Sequence, residues 1–223
     1  MQRGVIDPAG FEAKFRSNID PWNYAASPFE AYKRAALLHA CGNRAYGRGL
    51  ELACAIGETT RKLAPRCLQL LAIDSSATAL TEAARRTVAH RNVTLAQAVL
   101  PRQMPRGPFD LIVVSEILYY LRPNDLRVLI GRLDRALAPG GRIVILHHLK
   151  DFSDTAVRPR LAQQSAVAAL RRHMALAHLF TAARFQVAAL QRAVALGAKK
   201  VPPPPPPALR ERRNGYRVVQ LAA

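Results

Sequence analysis

The sequence is short of acid, of aromatic side chains and of cysteine, and it has no long apolar run. Only 15 of its 223 residues are Asp or Glu, against 33 Lys and Arg, so the formal net charge is +18. An excess of that size suggests a polyanionic partner, but its distribution weakens the suggestion. Met1 to Asp154 carries 21 basic and 14 acidic residues, a net +7; Thr155 to Ala223 carries 12 and one, a net +11. Of the basic residues 27 are arginine, in a chain also rich in alanine, and no nucleic-acid-binding motif accompanies them. Compositional bias accounts for the charge, and nucleic acid is disfavoured as a partner. The three cysteines, Cys41, Cys54 and Cys67, have no CxxC spacing, so neither a disulfide framework nor a metal site is expected. Asp110, Glu116 and Arg122 bracket the most apolar stretch, which excludes an ordinary membrane span of about 18 apolar residues. The N-terminal MQRGVIDPAGFEAKF has no apolar signal core, and a cytoplasmic protein is expected.

Half the residues are hydrophobic, enough to bury a core. Strand patterns fall at 49–54, 68–74, 93–99, 109–115 and 142–147, separated by helical or loop segments. The run Phe109-Asp-Leu-Ile-Val-Val-Ser115 is nearly all apolar, as in a parallel strand covered on both faces. Ser75 or Ser76 opens a helix carrying Leu80, Ala84 and Val88 on one side, and Pro123-Asn124 opens another with Leu126, Leu129, Ile130, Leu133 and Leu137. Pro139-Gly-Gly141 breaks it. The alternation predicts an α/β doubly wound, mostly parallel sheet. In the remainder the spacing predicts a helix over 163–180, a strand over 185–190 and a closing strand over 216–221, the two strands joined by a long loop holding Pro202–Pro207.

In such a sheet, ligands sit beyond the carboxyl ends of the strands. The first strand ends in Glu51-Leu-Ala-Cys-Ala-Ile-Gly57, small residues that let backbone approach a ligand. The second ends at Asp74, where a carboxylate can accept two ribose hydroxyls. Glu116 follows the fourth strand, and His147-His148 end the fifth.

Glu51-x-Ala53-x-Ala55-x-Gly57, Asp74, Phe109-Asp110, Ser115-Glu116-Ile-Leu-Tyr119-Tyr120-Leu121 and Leu137-x-Pro139-Gly140-Gly141 resemble the successive motifs of class I S-adenosylmethionine-dependent methyltransferases. Asp20-Pro-Trp22-Asn-Tyr24, Phe29-Glu30-x-x-Lys33 and residues 115–121 carry a narrower resemblance to the NodS-like group, which N-methylates the deacetylated amino sugar of chitooligosaccharide precursors. The resemblance implies a Rossmann-like seven-stranded sheet with an antiparallel last strand and S-adenosyl-L-methionine as cofactor. It also implies a small-molecule or oligosaccharide amine as acceptor. It divides one methyltransferase domain, 1–223, into an N-terminal lid or helical segment (1–44), a cofactor-binding core (45–150) and a C-terminal helix and strand pair (151–223) with a proline-rich loop at 201–208. In the family the penultimate strand is parallel, so that loop is expected at the ligand edge.

The resemblance further assigns Glu51, Ala53, Ala55, Gly57, Asp74, Ser75 and Ser115 to the cofactor, with Val99 and Leu100 as an apolar wall. Trp22 and Tyr24 would close over the sulfonium and Lys33 would meet the cofactor's carboxylate. Glu116, Tyr119 and His147 would serve the acceptor, Glu116 by holding and deprotonating the amine. Two departures stand out: alanines at 53 and 55, where the family favours glycine, and Val99 where an acid is common. They keep open one alternative, a weakened cofactor-binding relic, and the basic tail of Arg210, Arg212, Arg213 and Arg217 keeps open another, a nucleic-acid methyltransferase. The acceptor and the oligomeric state stay open.

Overall fold

Seven strands in one sheet, with helices packed on both faces, occupy the chain from Tyr46 to Arg192 in a computed structural model that describes residues 5–194 and the two-residue strand Arg217–Val218. The strands are β1 (Tyr46–Leu52), β2 (Cys67–Asp74), β3 (Val93–Gln97), β4 (Phe109–Ser115), β5 (Leu137–His148), β6 (Met174–Thr181), β7 (Phe185–Arg192) and the short β8 (Arg217–Val218). Their order is β6-β7-β5-β4-β1-β2-β3-β8. β1 to β5 pair in parallel, and β7 runs antiparallel between β5 and β6. This is the doubly wound sheet with an antiparallel last long strand, to which β8 adds an antiparallel edge beside β3.

The helices are α1 (Pro8–Ser17), α2 (Pro28–Ala40), α3 (Thr60–Leu63), α4 (Ala77–Thr87), α5 (Pro123–Ala136) and α6 (Pro159–Leu170). Proline opens α1, α2, α5 and α6, where its missing N–H costs nothing. Asp7, Ser27 and Ser76 cap α1, α2 and α4 through their side-chain oxygens.

The apolar run of β4 explains why both faces must be covered. Leu111, Ile112, Val113 and Val114 are wholly buried, each contributing roughly 1.5–3 kcal/mol. Ile112 and Val114 pack with Leu129 and Leu133 of α5 and Ala166 of α6, while Leu111 and Val113 pack with Leu37 and Ala40 of α2.

Three expectations are corrected. The helix over 163–180 is α6, ending at Leu170, followed by strand β6; Met174–Thr181 alternates inward and outward and gains a ladder to β7, which overrides the helical propensity of its Ala and Leu residues. The late adjacent strands are therefore β6 and β7, joined by a short turn. Because β7 is antiparallel, the chain leaves it beside Gly140, with Gly140 N–H donating to the Ala193 carbonyl. That is the edge opposite the strands' carboxyl ends, so the loop after the 185–192 strand does not start at the ligand edge. The proline run and Lys199 and Lys200 lie outside the described residues.

Candidate active site

The order reverses between β1 and β4, which neighbour each other although β2 and β3 follow β1 in sequence. The loops after these two strands therefore face one another, the place where an open sheet leaves a crevice. Ala53, Ala55 and Glu116 all have positive φ there, 55°, 48° and 54°.

One cleft is lined by Ala53, Ala55, Ile73, Asp74, Ser75, Val99, Leu100 and Ser115 on the sheet side. Phe11, Phe15, Trp22 and Tyr24 of the N-terminal segment close it from above. Asp74 is buried and ties the site together: its carboxylate accepts from Ala55 N–H and Ser76 N–H, each at 2.9 Å. Burial raises its pKa, and these backbone N–H groups work in the opposite direction.

The cleft continues into a smaller recess lined by Lys33, Arg34, Glu51, Ala53, Ala55 and Glu58. Glu51 is buried there and its Oε2 has no hydrogen-bond partner. Burial pushes its pKa up to about 8, so Glu51 is a proton-holding acid in this recess. Arg34 faces the same recess, its guanidinium reaching the Tyr24 carbonyl at 3.3 Å and lying 3.8 Å from Glu58.

A third cleft opens on the other side of Trp22 and Tyr24, lined by Glu30, Lys33, Glu116, Tyr119, Tyr120, His148, Lys150, Phe152, Asp154 and Arg184. Glu116 borders all three spaces. Its Oε1 accepts from Lys33 Nζ at 2.6 Å; its Oε2 accepts from the Tyr119 hydroxyl at 2.7 Å and His148 N–H at 3.0 Å. Burial alone would raise this carboxyl, but Lys33 and the neighbouring histidines hold it down at about 2.

The structure brings most of the expected residues to these spaces and reassigns three. Gly57 lines none of them; at φ +82° its Cα packs on α4, where an added Cβ would lie 3.0 Å from Ala83. Lys33 is taken up by Glu30 at 3.0 Å and Glu116, so Arg34 is the cation left facing the recess. His147 has no solvent exposure. Its Nε2 accepts from Ile117 and Leu118 N–H at 3.3 and 3.1 Å, and its Nδ1 meets Gln163 Oε1 at 2.8 Å. That pattern fixes the tautomer with the proton on Nδ1, burial lowers its pKa to about 4, and the ring shapes the turn after Glu116. His148, not His147, faces the third cleft.

Sequence reasoning reads 1–44 as a lid or helical segment without placing α1 in it. Its Glu12 accepts from Ser76 Oγ and Thr78 Oγ1 at 2.6 Å and from Thr78 N–H at 3.2 Å, while Lys14 pairs with Asp154 at 3.0 Å. The helix is latched at both ends of the cleft. Phe11 and Phe15, spaced i, i+4, were the available signal.

A family model described as nodulation protein S (NodS) matches residues 12–151. The chain belongs to the NodS family. Nodulation protein S of Rhizobium tropici is 37% identical over 127 residues, covering 56% of this chain and 53% of that protein. The Sinorhizobium fredii protein is 33% identical over 127 residues, covering 56% and 59%. The chain thus spans little more than half the length of these NodS relatives. Among solved structures, the N-methyltransferase NodS from Bradyrhizobium japonicum in complex with S-adenosyl-L-homocysteine matches with a TM-score of 0.70 at 26% identity, covering 81% of this chain and 97% of that one. Phe152, Asp154 and Arg184 of the third cleft lie beyond the residues that match the NodS family model.

Proposed function

We propose that the chain moves a methyl group from S-adenosylmethionine to the nitrogen of an amine, with the deacetylated amino sugar of a chitooligosaccharide as the favoured acceptor. The observation that carries this is Glu116: an ionised carboxylate at the junction of two clefts, one walled for a nucleoside and one for an aromatic-flanked cation. The NodS relationship supplies the acceptor class.

The residues fit the cofactor. Asp74 keeps free lone pairs for ribose hydroxyls beside Ser75, and Val99 and Leu100 offer an apolar face to the base. The unpaired Glu51 oxygen suits an ammonium, and Arg34 a carboxylate. When bound, the cofactor supplies an electrophilic methyl on a positive sulfonium. Trp22 and Tyr24 close over that position, where an aromatic face is worth about 0.5–2 kcal/mol to a cation. Glu116 holds the acceptor nitrogen, with Tyr119 fixing the carboxylate. Alignment of the two reactants is the main contribution such a site makes, and direct displacement requires no protein nucleophile.

Calorimetry tests the two-cleft arrangement. S-adenosylhomocysteine should bind, and a deacetylated chitooligosaccharide should tighten it while the fully acetylated one does not. Failure to bind S-adenosylhomocysteine would overturn the proposal.

A further inference from the structure

An amine of pKa about 8 arrives as an ammonium near neutral pH and has no lone pair to give until a proton leaves. Three groups meet in the third cleft where that proton must go: Glu116, Lys33 and His148. Glu116 is a poor acceptor. With Lys33 beside it holding its pKa well below the ordinary carboxyl range, transfer from such an amine is strongly uphill. The Lys33 ammonium has only donors, and both Glu30 and Glu116 already occupy it.

His148 is differently placed. It ends β5, its backbone N–H donates to Glu116 Oε2 at 3.0 Å, and its ring Nε2 lies 3.9 Å from Glu116 Oε1. A nitrogen hydrogen-bonded to that carboxylate is therefore brought close to Nε2. The ring is 24% exposed and sits near Phe29, with centroids 5.5 Å apart, and Phe152, at 6.4 Å. We propose that His148 is the catalytic base that takes the acceptor's proton, while Glu116 binds the ammonium and directs it toward Nε2. The inference rests on the amine-methylating function above.

The step balances. The N–H bond breaks with its pair staying on nitrogen, and the proton passes to Nε2, giving imidazolium. The nitrogen pair then forms the bond to the methyl carbon as the carbon–sulfur pair leaves onto sulfur of the methylsulfonium donor. A secondary ammonium is produced, and the partly exposed imidazolium returns its proton to water.

The charged and titratable groups around the ring come from several elements: Glu116 after β4, Glu30 and Lys33 on α2, Arg184 in the β6–β7 turn, Lys150, Asp154, and the neighbouring His147. Burial lowers the His148 pKa below its ordinary 6.5, Glu116 opposes that and Lys33 adds to it. The imidazole is therefore neutral and able to accept near neutral pH.

The test combines a resonance and a rate. In the full chain, the His148 ring signals, assigned by their loss in His148→Asn, should shift when glucosamine is added and ignore N-acetylglucosamine. Methyl transfer to a deacetylated chitooligosaccharide should fall about 10²–10⁴-fold in His148→Asn, with KM within about threefold. The wild-type kcat/KM should stay level through the amine's pKa, whereas in the variant it should rise through it, because only an already neutral amine then reacts. His148→Gln serves as the second variant if His148→Asn unfolds early. Wild-type transfer with unchanged rate and pH profile in a folded variant overturns the base assignment and leaves the amine-methylating function standing. A His148 signal indifferent to glucosamine, with no wild-type transfer, overturns both.

Discussion

Alanine at two positions of left-handed backbone is an unusual choice for a loop that must lie close to a ligand. Ala53 and Ala55 hold φ of 55° and 48°, where an L-residue is disfavoured by about 1–2 kcal/mol. Replacing Ala53 by glycine relieves that strain and returns about 0.4–1 kcal/mol through the freer unfolded chain. Urea unfolding of Ala53→Gly should therefore show stability raised by up to about 1 kcal/mol, with S-adenosylhomocysteine affinity equal or tighter; a clear loss of affinity would mean that the methyl packs usefully. The carboxylates at 51 and 116 respond to pH in opposite senses. Glu116 is depressed from 4.5 to about 2, so its stabilising contribution is complete above the ordinary carboxyl range and is lost as pH falls from 4.5 toward 2. Glu116→Gln leaves Lys33 with Glu30 alone. It should lower the unfolding free energy by about 3–5 kcal/mol, the usual loss for breaking a buried pair, and that gap should shrink across the same acidic window. Glu51 is raised from 4.5 to about 8, so its contribution is present below 4.5 and is lost as pH rises through 8. An ammonium beside it favours the ionised form, so binding S-adenosylhomocysteine at neutral pH should release up to one proton and tighten toward pH 8. Calorimetry in buffers of different ionisation enthalpy measures that proton, and Glu51→Gln should abolish its release.

The N-terminal helix and the late strands show where sequence patterns stop being enough. α1 buries only Phe15, and its anchor Glu12 finds its partners 64 and 66 residues away on α4. Its local marks are slight: the Asp7-Pro8 opening and the i, i+4 spacing of Phe11 and Phe15. Burial works against the Glu12 carboxylate, yet the Ser76 and Thr78 hydrogen bonds bring its pKa down to about 2, which is the mark of an ionised latch. Hydrogen bonds to a charged group are worth about 1.5–3 kcal/mol. Glu12→Ala should therefore raise amide exchange in α1 about tenfold or more and speed S-adenosylhomocysteine release, with the core strands' protection unchanged; unchanged exchange in α1 would mean that the helix is held by its aromatic packing instead. The strands β2, β3 and β4, by contrast, were legible because each is a short, mostly apolar run ending in a polar residue. β6 was not, since its Ala and Leu residues suit either structure and only the ladder to β7 decides. The same parity problem misassigned His147. The sheet is covered on both faces, so an apolar strand end does not say which of two adjacent histidines meets the cleft. The turn at Ile117–Leu118, which donates to His147, settles it.

At the scale of the whole molecule, the site follows from topology more than from any single motif. Asp74, Val99 and the pair Ser115-Glu116 come from three separate segments, and parallel strands deliver them to one edge. That much could be read from the sequence, because every one of these residues stands at or just after a predicted strand end. The third cleft could not, because Phe152, Asp154 and Arg184 reach it from the loop after β5 and the β6–β7 turn, beyond the residues that match the NodS family model. Among the described residues, no helix is long and apolar enough to cross a membrane. The central claim is that one edge of this sheet joins a methylsulfonium to an amine nitrogen. It is tested most directly by incubating the full chain with S-adenosylmethionine and a chitooligosaccharide bearing one deacetylated sugar, then locating the added methyl by tandem mass spectrometry. The account expects one methyl on the free amine nitrogen and none on the fully acetylated oligomer. A methyl on oxygen, equal methylation of both oligomers, or no methylation by protein that binds S-adenosylhomocysteine would contradict it.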